Sequence, residues 1–186
     1  MKRKHVHKNP TITLMLFGLI LSGAHHIEAQ SKPSYGQQIA VIKILQPDVK
    51  IIGVMGATLS EKDVQDITRA GLAQGMQIVV GLPQNPREIS DIYKRLLNEK
   101  KIQVLWVPKG SDDMMMGIGF EYLRSTTLLD KIALYIPNPD LLPSGALCSV
   151  QMESGKLTVY VNQKIATLLG ARVPAEQSES VTFVSR

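Results

Sequence analysis

The chain has 186 residues, 44% of them hydrophobic, and a formal charge of +5. That length suits one domain with a tail, and that apolar fraction is enough for a real core. The basic excess sits at the N-terminus and no basic run remains elsewhere, which removes the only support for nucleic-acid binding.

Lys2, Arg3, Lys4 and Lys8 precede a short apolar run, Ile12–Leu21, and small residues follow, with a cut after Ala29 or, as second choice, Ala24. This is the layout of a secretory signal peptide. The run is too short for a transmembrane helix, which needs about 20 residues; the alternative is an N-terminal anchor that stays attached. Residues 1–29 are therefore expected to be a cleaved signal peptide, 30–36 a linker and 37–186 one α/β lobe of a periplasmic or secreted protein. The cut removes four basic residues and Glu28, which brings the charge to about +2. A cut after Ala29 also removes His5, His7, His25 and His26, so that mature chain has no histidine. Ser-His-Asp and Cys-His catalysis and histidine metal sites are then excluded; a mature N-terminus before His25 would reopen the point. The one cysteine, Cys148, lies in the apolar run Ala146–Val150 and reads as a buried small hydrophobe. A single cysteine makes no intramolecular disulfide, and none ends the signal, so a lipoprotein anchor is not indicated.

In chain order, Gln37–Leu45 reads as a helix stopped by Pro47. Val49–Met55 is strand-like and opens into Gly56-Ala57-Thr58. Ser60, with Asp63 three residues on, starts a helix whose C′ position suits Gly75. Met76–Val80 is the second strand. Asn85 as cap, Pro86 at the first helical position and Glu88 as third start the next helix, which has Ile89, Ile92, Leu96 and Leu97 on one face. Ile102–Val107 reads as a third strand buried on both faces, followed by a polar loop with Pro108 and Gly110. Ser111 can cap a helix with Asp112 and Asp113 in its first turn, but Gly117 and Gly119 weaken it, leaving a long loop over Lys109–Gly117 and a firm helix over Ile118–Leu129. Ile132–Ile136 is the fourth strand, ended by Pro137-Asn138-Pro139. A short helix or turn leads to Gly145; Ala146–Met152 and Leu157–Val161 then flank the hairpin signal Glu153-Ser154-Gly155-Lys156. Asn162 caps a short helix ended by Gly170, and Val181–Val184 reads as a last edge strand.

Strand, loop and helix repeat, with connections long enough for right-handed parallel crossovers. The expectation is an α/β fold: a three-layer, doubly wound parallel sheet of flavodoxin-like order 2-1-3-4-5 with a C-terminal hairpin, the third strand in the middle.

Short phrases in this layout carry a family resemblance. They are Leu45-Gln46-Pro47, the Val49–Val54 strand, Ser60–Lys62, Gly75–Ile78, Pro86–Ile89, Val104–Pro108, Asp130–Tyr135 and Pro143–Leu147. Over roughly Gly36–Gly170 their order resembles one lobe of the uncharacterised ABC-transporter substrate-binding protein family, which has a periplasmic-binding-protein-like fold. The resemblance implies a non-enzymatic exported binding module for transport, taking a small-molecule ligand or partner at the C-terminal edge of the sheet. Family members close a cleft between two lobes, and this chain is long enough for one. Its hairpin ending, Cys148–Val161, is similar instead to small periplasmic regulators that restrain a membrane-bound cyclic-nucleotide cyclase. The implied partners are a small ligand, a membrane transporter or sensor protein, or a second copy of the chain in a homodimer.

In such a sheet the loops after the strand C-termini form one edge. There Thr58, Ser60, Lys109, Ser111, Asp112 and Asn138 are the candidate ligand-binding residues, with backbone N–H groups at helix starts. The competing reading makes Ser60 and Ser111 caps only and leaves Lys109 solvated. No dinucleotide glycine pattern or phosphate loop is present, and Asp112-Asp113 alone do not make a metal site. No cofactor and no catalytic residue is expected. Met114–Met116 either offers an adaptable apolar surface or packs two of its three side chains into the core. Trp106 reads as core.

Overall fold

The computed structural model describes residues 32–110, 112–174 and 181–185. The expected signal peptide lies outside the described residues, as does Ser111.

Helix α1 spans Tyr35–Leu45 and begins two residues earlier than its apolar pattern predicts. The reason is a capping box: Ser34 Oγ accepts from the Gln37 N–H at 3.2 Å while Gln37 Oε1 accepts from the Ser34 N–H at 2.8 Å. Strand β1 is Ile51–Met55. Helix α2, Glu61–Ala73, carries the expected Ser60/Asp63 box, and Gly75 follows it with φ +69. Strand β2 is Gln77–Gly81. Helix α3 runs Glu88–Asn98, starting later than expected. Asn85 Oδ1 accepts from the Arg87 N–H at 3.1 Å and forms a local turn, so the regular helix opens only after Pro86-Arg87. Strand β3, Val104–Trp106, leads to a one-turn helix α4, Asp113–Met116, and then to α5, Ile118–Leu129, which has the expected bounds. Strand β4 is Ala133–Tyr135, and a 3-10 helix over Pro139–Ser144 follows. Strands β5, Cys148–Glu153, and β6, Lys156–Val161, form the expected hairpin, with Ser154 and Gly155 both at positive φ. Helix α6, Gln163–Leu169, is capped by Asn162 and ended by Gly170 in the left-handed region. Strand β7 is Val181–Ser185.

The sheet order is β2-β1-β3-β4-β5-β6-β7. Every neighbouring pair is parallel except the β5–β6 hairpin. The doubly wound α/β reading and the order 2-1-3-4-5 are borne out. Strand β3 is the middle of the first five strands; β6 and β7 extend the sheet beyond β5, so β4 is midway in all seven.

Alternation along each strand divides the core in two. Ile52, Val54, Val104, Trp106, Ala133 and Tyr135 face α1, α2 and α6. Leu105, Leu134 and Met55 face α3, α4 and α5. Helices on both faces account for strands that read as continuous apolar runs. Met115 is fully buried, while Met114 and Met116 are half-buried against the same core. Cys148 is fully buried and free, and burial pushes its thiol pKa well up. Trp106, 2% exposed, gives its Nε1–H to Gln38 Oε1 at 3.3 Å and packs edge-to-face on Tyr35 with ring centroids 6.0 Å apart.

Candidate functional site

The C-terminal ends of β1, β3 and β4 all open on one edge, where the loops meet. Asp112 holds two of them together. Its side chain is 1% exposed. Oδ2 accepts from the Ala57 N–H at 2.5 Å and the Thr58 N–H at 3.2 Å, and Oδ1 accepts from the Met115 N–H at 3.1 Å. One carboxylate thus joins the loop after β1 to the start of α4. Gly56 lets this loop lie close: an added Cβ would come within 2.9 Å of Leu59 Cγ.

A second carboxylate, Asp63, ties three elements. Oδ1 accepts from the Tyr35 hydroxyl at 2.6 Å. Oδ2 accepts from Ser60 Oγ at 2.6 Å, the Ser60 N–H at 2.8 Å and Lys109 Nζ at 2.7 Å. The Lys109 ammonium also donates to the Thr58 carbonyl at 3.4 Å. Burial pushes the Asp63 carboxyl up, but the bonds from Lys109, Ser60 and Tyr35 outweigh it and hold the group well below the usual carboxylate range. Burial first, and Asp63 second, raise the Tyr35 phenol far above its ordinary value. The Asp63–Lys109 pair keeps little exposed surface, 18% and 30%.

Beside this tie, on the α1 face of the sheet, lies a groove of about 690 Å³. Its walls are Lys32–Gly36 and Gln38 at the start of α1, Asp66 and Ala70 of α2, Pro108–Gly110, Pro137, and Val150–Gln151 of β5. The volume falls in the range of small-ligand sites, about 300–1,000 Å³. Several of its polar side chains are already engaged. Gln38 Nε2 donates to the Pro33 carbonyl at 3.1 Å, and Gln151 Nε2 donates to the Pro137 carbonyl and to Ser149 Oγ.

The six residues singled out from the sequence are distributed unequally. Lys109 lines the groove. Thr58 and Ser60 are exposed and reach it through Lys109 and Asp63. Asp112 is buried in its brace. Asn138 is exposed and caps the 3-10 helix, its Oδ1 accepting from the Asp140 N–H at 3.0 Å. Ser111 is outside the described residues. Tyr35, Gln38 and Gln151 were not singled out. The signal for Tyr35 was present as Ser34-x-x-Gln37, a capping box that turns apparent linker into helix start. Gln38 and Gln151 carry no local signal.

Among the described residues no helix is long and apolar enough to cross a membrane. No protein-family model matches the chain, and no curated protein matches it. Solved structures do match. An ABC domain from Streptococcus pneumoniae in complex with L-Trp superposes with a TM-score of 0.67 at 18% identity, over 81% of this chain and 62% of that one. The ligand-free, open form of a substrate-binding protein with adhesive properties from Clostridium difficile gives 0.65 at 20%, over 82% and 60%. A conserved domain protein from Vibrio cholerae gives 0.65 at 14%, also over 82% and 60%. The chain therefore spans about three fifths of the length of these structures. It has their fold, and the resemblance to a periplasmic-binding-protein-like lobe is borne out at that level.

Proposed function

We propose that the chain is an exported, non-enzymatic binding module that takes a small ligand at the C-terminal edge of its sheet. The observation that carries this is the groove between Pro108–Gly110, Pro137 and the start of α1. It lies outside the carboxyl ends of the strands, where open α/β sheets hold ligands. In this reading Lys109 contributes a polar contact from within the groove, Thr58 and Ser60 act through Lys109 and Asp63, Asp112 shapes the loops, and Ser111 and Asn138 are the remaining candidate contacts. Two neighbours in fold are described as holding L-Trp and as a substrate-binding protein. L-Trp and the other amino acids are therefore the first probes. Export rests on the basic-then-apolar pattern of residues 1–29. A membrane transporter is the partner this reading implies, and a second copy of the chain is another.

A thermal-shift screen of the purified protein with that panel, followed by calorimetry, tests the reading. At least one compound should raise Tm in a saturable way. A monomer with no response across the panel counts against it.

The β5–β6 hairpin supports a second reading, in which the same edge is offered to a protein, as a regulator of a membrane sensor or cyclase would offer it. Pull-down from membranes separates the two: a permease favours the first and a sensor or cyclase the second.

A further inference from the structure

The chemistry of the groove narrows the class of ligand, provided the groove is a small-molecule site as proposed above. Its lining is largely apolar: Pro33, the Tyr35 ring, Ala70, Pro108, Pro137 and Val150. One amide N–H of Gln38, both of Gln151 and the hydroxyl of Ser34 are engaged in internal hydrogen bonds. Lys109 is different. An ammonium has three N–H donors. Two are used, on Asp63 at 2.7 Å and on the Thr58 carbonyl at 3.4 Å, which leaves a third.

The charge behind that donor is already matched. Asp63 Oδ2 touches the ammonium, and three further donors from Tyr35 and Ser60 hold this carboxylate in place. A ligand anion on the third N–H would gain attraction from Lys109 and meet repulsion from Asp63 at little more distance. The attraction is the larger, because the anion would lie nearer Lys109, but Asp63 cancels much of it and the anion must also shed its water. Asp66 and Lys32 also line the groove and bring opposite charges, and Arg69 lies 3.2 Å from Asp66. A neutral acceptor gains the same hydrogen bond without the repulsion.

We infer that the groove selects uncharged ligands with an apolar or aromatic body and one hydrogen-bond acceptor for Lys109, and that Asp63 sets this preference by pre-neutralising the lysine. Asp63 is a positioning residue here: it acts through Lys109 and holds the ammonium in the groove wall.

The test compares two probes of nearly equal shape, indole-3-acetamide and indole-3-acetate, by calorimetry on the full mature chain. The wild-type protein should bind the amide at least as tightly as the acid. Asp63→Asn keeps one acceptor oxygen, enough for Ser60 or for Tyr35, and leaves Lys109 uncompensated, so it should favour the acid by about tenfold relative to wild type. Lys109→Gln should abolish that gain when combined with Asp63→Asn. Circular dichroism and Tm confirm that each variant is folded; if Asp63→Asn is not, the wild-type ratio and Lys109→Gln carry the test, the latter weakening the amide without favouring the acid. Tighter wild-type binding of the acid, or an unchanged amide-to-acid ratio in folded Asp63→Asn, overturns the inference. Binding of neither probe, with an amino acid binding in the groove, overturns it and leaves the binding-module reading intact. Binding of no probe and no amino acid removes both.

Discussion

Replacing Asp112 with alanine should destabilise the protein more than any other change at the loop edge. The carboxylate is 1% exposed and accepts three backbone N–H groups, from Ala57, Thr58 and Met115. A hydrogen bond to a charged group contributes about 1.5–3 kcal/mol, and a stranded buried donor costs about 1–3 kcal/mol. The Met115 N–H is buried, whereas those of Ala57 and Thr58 are only partly so and can recruit water. The expected loss is then about 3–4 kcal/mol, below the sum of three full penalties. For a chain of this size that lowers Tm by roughly 10 °C. Asp112→Asn keeps one carbonyl oxygen and should lose about half as much. Urea unfolding followed by the fluorescence of Trp106, the single tryptophan, reads both. The midpoint should fall with the slope unchanged, since little buried area is altered. A loss below about 0.5 kcal/mol for Asp112→Ala, the level of an ordinary surface change, would show that the two loops are held by something else.

The other expectations concern packing and pH. Gly81→Ala would bring a Cβ to 2.3 Å from Ile92 Cγ2, and Gly71→Ala one to 2.4 Å from Ile78 Cγ1. Each should cost about 1–3 kcal/mol in urea unfolding through overpacking. Gly110→Ala, with only ordinary contacts to Pro137, should cost less. In acid, Asp63 stabilises the fold above the ordinary carboxylate pKa, because burial is outweighed by its hydrogen bonds and its folded value is depressed. Stability should therefore fall as pH drops below about 4, and Asp63→Asn should flatten that limb in Tm measured against pH. In base the sign reverses. Burial, with a bond to Asp130, raises Tyr93, and burial raises Cys148 and Tyr135. Their contribution is present below their unfolded values and should be lost as pH rises past about 9–10. An alkaline unfolding curve flat to pH 11 would contradict this.

Most of the fold was legible because strands covered on both faces announce themselves as apolar runs. Val104–Trp106 and Ala133–Tyr135 are buried at every position, so no amphipathic ambiguity arises. Caps were legible where the side chain and its target are local, as at Ser60, Asn162 and Gly170. Asn85 misled because the same side chain serves a turn or a cap, and Pro86 fits both. Ser34 was hidden by Pro33 and Gly36, which read as linker although the box residues were present.

The site was legible as an edge and not as a groove. Strand polarity places the loops together, but which face hollows out depends on where α1 lands. That is set by contacts distant in sequence: Tyr35 to Asp63, Lys109 to Asp63, and Trp106 to Gln38. No spacing rule reports such pairings. Asp112 shows the converse difficulty. A carboxylate in a Gly/Ser/Asp loop looks like a ligand contact from the sequence alone, and here its oxygens face backbone N–H groups.

The most direct test of the central claim is a two-dimensional amide NMR titration of the labelled protein with a compound that raises its Tm. The groove reading predicts shift changes clustered at Tyr35, Gly36, Lys109, Gly110 and Gln151 that saturate with the calorimetric Kd. It also predicts their loss in Gly110→Phe, which fills the groove from an exposed position. Saturable shifts centred elsewhere, or binding that survives intact in Gly110→Phe, would contradict it.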